Sequence, residues 1–168
     1  MRDQLYLGAD GFAGEVGHMI LQLDGPLCSC GRRGCAETFI GLRAVSTQVS
    51  GNANDLLPIA VIRQLVGRGD AVAELAVRRA GNYLAVLIQN LWACFNPGRV
   101  VVGGPVSSLG RALLDVAEAG VARYAAQCAL PPPEIRLPRF GEDAIAVGAA
   151  AMILYAWTRP HDSHWRFA

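Results

Sequence analysis

One stretch of this chain, residues 11–39, holds most of the side chains that could do chemistry. It contains one imidazole and three closely spaced thiols, a ligand set that Zn²⁺ accepts in closed, tetrahedral structural sites. Gly31 and Gly34 allow the backbone to turn sharply, so that thiolates on both sides can converge. The segment therefore predicts a structural zinc site, and the alternative is a set of reduced cysteines packed as small hydrophobic residues. The predicted ligands are His18, Cys28, Cys30 and Cys35.

Two acidic residues flank this ligand set. Glu15 lies three residues before His18, and Glu37 lies two residues after Cys35, so a metal-tethered loop would hold both carboxylates near the imidazole. Carboxylates accept hydrogen bonds from vicinal hydroxyls, and a zinc-bound histidine can present its second ring nitrogen to a ligand. Glu15, His18 and Glu37 thus favour a polyol ligand. The alternative is that both acids are solvated turn or helix-cap residues.

The composition limits the class of protein. With 168 residues, of which 52% are apolar, the chain is long enough for one domain with a core. All fifteen basic residues are arginine, and fourteen acids leave a net charge of +1. The absence of lysine excludes a lysine Schiff base and a P-loop lysine. A nearly neutral chain also lacks the basic surface of a DNA-binding domain, so we expect no direct nucleic-acid contact.

The two cysteines outside the cluster and two uncharged stretches of sequence help to predict the cellular compartment and which helices are buried. Cys94 and Cys128 stand alone in apolar stretches and are predicted to be core residues on helix faces. No signal peptide is apparent, and the clustered thiols suit a metal better than disulfides, so we expect a cytoplasmic protein. Two uncharged stretches are candidate membrane spans. Residues 80–98 contain several polar amide side chains, and the stretch 144–158 is shorter than the roughly 20 residues needed to span a bilayer. Both are predicted to be buried helices rather than membrane spans.

The pattern along the chain predicts an α/β protein with three regions before a tail. Turn-rich sequence with strands at 4–7 and 16–23 precedes a helical region, 40–96, which breaks at 51–55, resumes at 58–66 and ends in a long helix capped by Asp70. Strand-turn-helix units follow over 99–157. They comprise a buried strand at 99–104, a helix at 109–129, a strand near 134–138 and a helix after Asp143. The tail, 159–168, has no clear period.

The motif GFAGEVGH, followed by CSCGRRGC and Glu37, resembles the ROK family of repressors and sugar kinases. The family pattern is G-x-x-G-E-x-G-H followed by C-x-C-G-x-x-G-C-x-E, and the likeness continues through VVVGGP and GEDAIAVGAA. The resemblance implies that residues 1–158 form an actin-like or ribonuclease-H-like lobe of a bilobal protein. It also implies zinc on the four predicted ligands and a sugar contacted by Glu15, His18 and Glu37.

The resemblance leaves the choice between regulator and kinase to weaker signals. The family's kinases carry a catalytic aspartate and phosphate loops upstream of this segment, and nothing here matches them, so the chain alone is expected to be inactive as a kinase. Their later strand usually ends in three glycines, whereas here Gly103 and Gly104 are followed by Pro105, which has no N–H to offer a nucleotide.

We therefore expect the sugar-sensing effector lobe of a transcriptional regulator, acting as a homodimer with a monosaccharide ligand and with its DNA-binding region outside this segment. The alternative is the C-terminal half of a sugar kinase, glucokinase-like or specific for an N-acetylhexosamine. In that case Gly103 and Gly104 would approach ATP with Mg²⁺. A third possibility is a zinc-stabilised interaction module that binds no sugar.

Overall fold

The computed structural model describes residues 6–158, a set of helices packed on one another with a short two-stranded parallel sheet at one side. In chain order, the elements are α1 (Glu37–Ile40), α2 (Leu42–Ser50), α3 (Ile59–Gly67), α4 (Ala71–Phe95), β1 (Arg99–Val101), α5 (Arg111–Cys128), β2 (Glu134–Arg136) and α6 (Ala144–Thr158). Three 3₁₀ helices lie between them, at Val16–His18, Pro105–Leu109 and Gly141–Asp143. The predicted tail, 159–168, lies outside the described residues.

The long helix α4 is the centre of the fold and was predicted correctly. Asp70 caps it, since its Oδ1 accepts a hydrogen bond from the Ala73 N–H at 2.9 Å. The buried positions recur every three or four residues, which gives the helix one continuous apolar face. It ends at Asn96, which adopts a left-handed conformation and accepts a 3.0 Å hydrogen bond from the Trp92 indole. The predicted helices 58–66 and 109–129 are likewise confirmed as α3 and α5.

Helices α4 and α5 pack closely because each places a glycine at the contact. A Cβ added to Gly81 would lie 2.7 Å from the Val116 side chain, and one added to Gly120 would lie 2.6 Å from the Ala85 Cβ. Both distances are too short for real carbon atoms, so only glycine permits this approach of the two backbones. The core extends outward from this contact to Val45, Ile62, Val106 and Ile135.

The sheet consists of β1 and β2, which pair in parallel across the α5 crossover, with Val100 opposite Ile135. The expectation of a fully buried strand over 99–104 was wrong. The strand is three residues long, and Val101 is 55% exposed. The reason is that only side chains on one face of the sheet, such as Val100 and Ile135, pack into the core.

An ion-pair cluster lies on the exposed part of this sheet. The Arg99 Nε–H donates to Glu134 Oε2 at 2.6 Å, and the Arg136 Nε–H donates to Oε1 at 2.6 Å. These hydrogen bonds, that of Arg136 foremost and that of Arg99 next, lower the pKa of the Glu134 carboxyl.

The N-terminal strands predicted at 4–7 and 16–23 are not confirmed. Residues 4 and 5 lie outside the described part of the chain, and from residue 6 to residue 36 the only β pairings are two isolated bridges, Ile20 with Cys35 and Leu27 with Arg33. Glycines with positive φ interrupt the segment repeatedly, which prevents a continuous ladder. Residues 6–36 instead form a long loop with one short 3₁₀ helix, and single backbone hydrogen bonds connect its parts.

Three predictions of burial were also wrong. Helix α6 exposes its large apolar residues, Ile145 at 71% and Trp157 at 86%, because none of its described side chains joins the core cluster. Cys94 and Cys128 are exposed, since both lie in the last turns of their helices beyond the buried stripe. Within residues 6–158, none of the helices combines the length and apolar character that a membrane span requires.

Candidate metal centre

The loop between residues 16 and 36 folds back on itself and brings the predicted metal ligands together. The Ala36 N–H donates to the Met19 carbonyl at 2.8 Å, so the chain after His18 runs antiparallel to the chain around Cys35. Between them, the Cys28 N–H donates to the Arg32 carbonyl at 2.8 Å and forms a tight turn. Each ligand is therefore fixed by backbone hydrogen bonds of its own neighbours.

Glycine is required at the crossing of the two loop strands. Gly34 has φ +73°, and a Cβ there would lie 1.6 Å from the Gln22 carbonyl oxygen, which leaves no room for any side chain. The Gly34 carbonyl accepts a hydrogen bond from the Leu21 N–H at 2.8 Å. Gly31, with φ +85°, stands at the tip of the turn with open space around it. The predicted role of these two glycines in turning the chain is thus confirmed.

The four predicted ligand residues meet in one cluster. One ligand atom from each of His18, Cys28, Cys30 and Cys35 lies within 4.8 Å of all the others. The Cys30 and Cys35 sulfurs are 3.6 Å apart, and the Cys28 sulfur is 3.7 Å from His18 Nδ1. Cys28 and Cys35 are buried, His18 is half-buried and Cys30 is exposed.

This cluster fits a tetrahedral metal ion. Bonds of about 2.3 Å to sulfur and about 2.0 Å to nitrogen would place neighbouring ligand atoms roughly 3.5–3.8 Å apart, which matches the closest pairs here. Three thiols and one imidazole suit Zn²⁺, and four protein ligands leave no open coordination position for catalysis. A metal bound here would order the loop, and Nδ1 is the histidine nitrogen that faces it.

The thiols differ in acidity before any metal binds. The backbone N–H of Arg32, and then its guanidinium, lower the pKa of Cys30 to about 6. Burial, and then hydrogen bonds with Cys30 and Cys28, raise the pKa of Cys35 to about 11. Without a cation, the cluster cannot hold all its sulfurs as thiolates at neutral pH. A divalent metal supplies the charge that three thiolates need.

The two flanking acids are placed differently. Glu37 is the first residue of α1, and its Oε2 lies 3.9 Å from His18 Nδ1 and 3.8 Å from the Cys28 sulfur. Glu15 precedes the 3₁₀ helix that carries His18, and its carbonyl accepts the His18 N–H at 3.0 Å. Among residues 6–158, no hydrogen bond or ion pair holds the exposed Glu15 carboxylate. The structure thus joins Glu37 to the cluster through its side chain and Glu15 only through its backbone.

A cavity of about 710 Å³ opens beside residues 16–36, which we call the metal loop. The far walls of this cavity were not predicted from the sequence. Glu37 and the loop residues around Cys28 form the near wall, and Arg43 of α2 and Arg79 and Tyr83 of α4 form the others. Residues 43 and 79 are 36 positions apart on different helices, so no local sequence pattern could have joined them.

The two glycines proposed for a nucleotide lie elsewhere, after β1. Gly104 has φ +82°, and its carbonyl accepts both the backbone N–H and the side-chain hydroxyl of Ser107, at 3.1 and 2.7 Å. Pro105 begins the following 3₁₀ helix. Neither Gly103 nor Gly104 lines the cavity beside the metal loop.

Comparison with known proteins places this geometry in a family. The profile of the ROK family matches residues 1–156. A xylose repressor from Caldicellulosiruptor bescii is 26% identical over 166 residues, covering 90% of this chain and 41% of the repressor. An N-acetylmannosamine kinase from Escherichia fergusonii is 31% identical, covering 89% of this chain and 50% of the kinase.

A solved structure is also similar. The ROK family glucokinase from Streptomyces griseus, in complex with glucose and AMPPNP, superimposes with a TM-score of 0.78 and 26% identity over 89% of this chain and 54% of that chain. This chain spans about half the length of these relatives. The predicted actin-like fold is confirmed by this similarity, and the predicted loop holds four side chains that could bind a metal ion. Since the family profile covers nearly the whole chain, the protein belongs to the ROK family.

Proposed function

We propose that this chain is the sugar-sensing effector lobe of a ROK transcriptional regulator, with a monosaccharide bound beside a structural zinc site by Glu15, His18 and Glu37. One observation carries the proposal, namely the carboxylate of Glu37 fixed 3.9 Å from an imidazole inside the ligand cluster. A carboxylate and an imidazole held side by side on an ordered loop can read adjacent hydroxyl groups.

The residues divide the recognition between them. Because His18 Nδ1 faces the sulfurs, its Nε2 is left for a sugar hydroxyl, and a bound metal would fix this tautomer. Glu37 accepts hydrogen bonds from hydroxyl groups at the rim of the metal loop. Glu15, whose carboxylate is exposed, adds a second acceptor on the same loop. Relatives described as xylose repressors and a glucokinase in complex with glucose support a sugar ligand.

The turn after β1 supports a regulator over a kinase. Pro105 has no N–H, and the Ser107 N–H already donates to the Gly104 carbonyl. Two of the backbone donors that could cradle phosphates at this turn are therefore missing or occupied.

The C-terminal half of a sugar kinase is the second candidate. It is favoured by the N-acetylmannosamine kinase relative and by the similarity to the Streptomyces griseus glucokinase. In this case ATP and Mg²⁺ would bind with Gly103 and Gly104 close to the nucleotide, and the missing catalytic groups would come from another part of the protein.

Calorimetric titration with xylose, glucose and N-acetylmannosamine tests the sugar site. We expect one of them to bind and Glu37→Gln to weaken it about tenfold, because a hydrogen bond to a charged group is worth about 1.5–3 kcal/mol. Glu74→Gln, an exposed acid at the start of α4, is the matched control and should leave binding unchanged. If none of the sugars binds, a zinc-stabilised interaction module replaces the proposal.

A coupled assay for ADP separates the two candidates. It is run on the longest protein that the gene encodes, with ATP, Mg²⁺ and the sugar that binds. Binding without ADP release supports the regulator, whereas phosphorylation of the sugar establishes the kinase. Sedimentation velocity on the same sample tests the expected homodimer.

A further inference from the structure

The cavity beside the metal loop is a second candidate site, which we call the arginine cleft. Its volume of about 710 Å³ is within the range of pockets that hold small organic ligands. It shares Glu37 with the proposed sugar contacts, but neither Glu15 nor His18 lines it. The cleft therefore presents a surface that the proposed sugar site does not use.

Two helices each direct a cation into the cleft. Arg43 and Thr47 lie four residues apart on α2, and Arg79 and Tyr83 lie four residues apart on α4, so each pair shares one helix face. Both arginines are exposed. Each guanidinium can bind an anionic group through two parallel hydrogen bonds.

Neither arginine is neutralised within the described residues. Within residues 6–158 three arginines form ion pairs with carboxylates, namely Arg99, Arg111 and Arg136. In contrast, Arg43 donates only to the Ala53 carbonyl at 3.4 Å, and no carboxylate of residues 6–158 lies within ion-pair distance of Arg43 or Arg79. Two unpaired cations that face the same cavity favour an anionic occupant.

The cleft also has an apolar, aromatic wall and polar groups suited to hydroxyls. The Phe39 and Tyr83 rings stack with centroids 3.9 Å apart, and the Tyr83 hydroxyl donates to Gln22 Oε1 at 2.9 Å, which fixes the ring. An aromatic wall packs against the C–H face of a small polyol, while Thr47 and Gln48 can exchange hydrogen bonds with its hydroxyls. Glu37 also lines the cleft, and its carboxylate lies 3.9 Å from His18 Nδ1 and 3.8 Å from the Cys28 sulfur.

We propose that the arginine cleft binds a small sugar-derived anion, a sugar phosphate or a sugar acid, as an effector separate from the neutral sugar. Arg43 and Arg79 bind the anionic group, and the Tyr83 ring, supported by the buried Phe39 ring stacked on it, receives the carbon skeleton. Glu37 borders both sites, so an anion in the cleft changes how this carboxylate is placed and thereby alters sugar affinity.

The test is a calorimetric titration of the whole chain with glucose 6-phosphate and with glucuronate, beside inorganic phosphate and glucose. We expect one of the two sugar-derived anions to bind, with Arg79→Gln weakening it about tenfold. Arg78→Gln is the matched control, since it removes the same charge from the adjacent, exposed position of α4 that does not line the cleft. Arg78→Gln should leave the affinity unchanged.

The outcomes separate this proposal from the sugar site. Failure of both sugar-derived anions to bind at up to about 10 mM, or equal losses in Arg78→Gln and Arg79→Gln, overturns it. Binding of inorganic phosphate as tight as that of the sugar phosphate overturns the assigned ligand class. If Glu15→Gln abolishes anion binding, the anion occupies the sugar site and the cleft is not separate. Failure of neutral sugars to bind, with the anion still bound, refutes only the proposed function.

Discussion

Removing one metal ligand tests the metal centre most directly, and Cys30 is the best ligand to remove. Its side chain is exposed, so Cys30→Ser leaves no cavity in the core and buries no polar group. In a metal-free protein, a surface substitution of this kind changes the free energy of unfolding by about 0.5 kcal/mol or less. Any larger loss must come from the metal.

The size of the loss follows from the binding equilibrium. A metal present at 1,000 times its dissociation constant stabilises the folded state by about 4 kcal/mol. The site of Cys30→Ser keeps only three of the four ligands, so the variant should lose most of this stabilisation. In a chain of this size, about 1 kcal/mol corresponds to roughly 2–4 °C in melting temperature, so Cys30→Ser should lower it by on the order of 10 °C. Residues 16–36 contain no regular strand pairing beyond two isolated β-bridges, so the loop depends on single backbone hydrogen bonds and on the metal.

The assay combines scanning calorimetry with elemental analysis of protein purified without added metal. We expect one zinc ion per chain in the wild type and much less in Cys30→Ser. Cys94→Ser is the control, because Cys94 is also exposed but lies outside the cluster, and this variant should keep both its zinc and its melting temperature. The zinc assignment would be refuted if the wild type contained well under one zinc ion per chain and Cys30→Ser had the same melting temperature as the wild type.

Three further predictions concern the backbone, the helix contact and an ion pair. Gly34→Ala should abolish metal retention by elemental analysis, because its Cβ would lie 1.6 Å from a backbone oxygen, while Gly31→Ala, with open space, should retain the metal and lose only about 1 kcal/mol. Gly120→Ala should cost about 1–3 kcal/mol in urea unfolding by forcing α4 and α5 apart, whereas Gly148→Ala on α6, with nothing within 4 Å, should not destabilise. Because the pKa of Glu134 is lower in the folded protein than its unfolded value near 4.5, its ion pairs stabilise the fold fully at pH values above 4.5. This stabilisation is lost as the pH falls through the pKa of Glu134 in the folded protein. The stability difference between wild type and Glu134→Gln should therefore shrink from pH 6 to pH 3 in urea titrations; a constant difference would contradict it.

How much of the fold the sequence predicts depends on whether a signal is local. Helix α4 combines an N-cap at Asp70 with a periodic apolar stripe, and both signals operate within a few residues, so its bounds were predicted almost to the residue. Helix α6 is apolar all round, and such a pattern predicts a helix without indicating which face is covered or by what. Its predicted burial failed for this reason, since exposure depends on the rest of the molecule.

The same distinction separates the two acids beside the candidate metal ligands. Spacing from a ligand residue limits how far a carboxylate can lie from the cluster, but it does not set the direction of the side chain. Glu37 begins a helix two residues after Cys35, so the helical backbone directs its carboxylate to His18. Glu15 is tied to His18 by a backbone hydrogen bond that leaves its carboxylate exposed and free to rotate. A preorganised acceptor loses less entropy on binding than a mobile one, so Glu37→Gln should weaken sugar binding more than Glu15→Gln does. Equal losses in a calorimetric titration would mean that the ligand orders Glu15 as firmly as the helix orders Glu37.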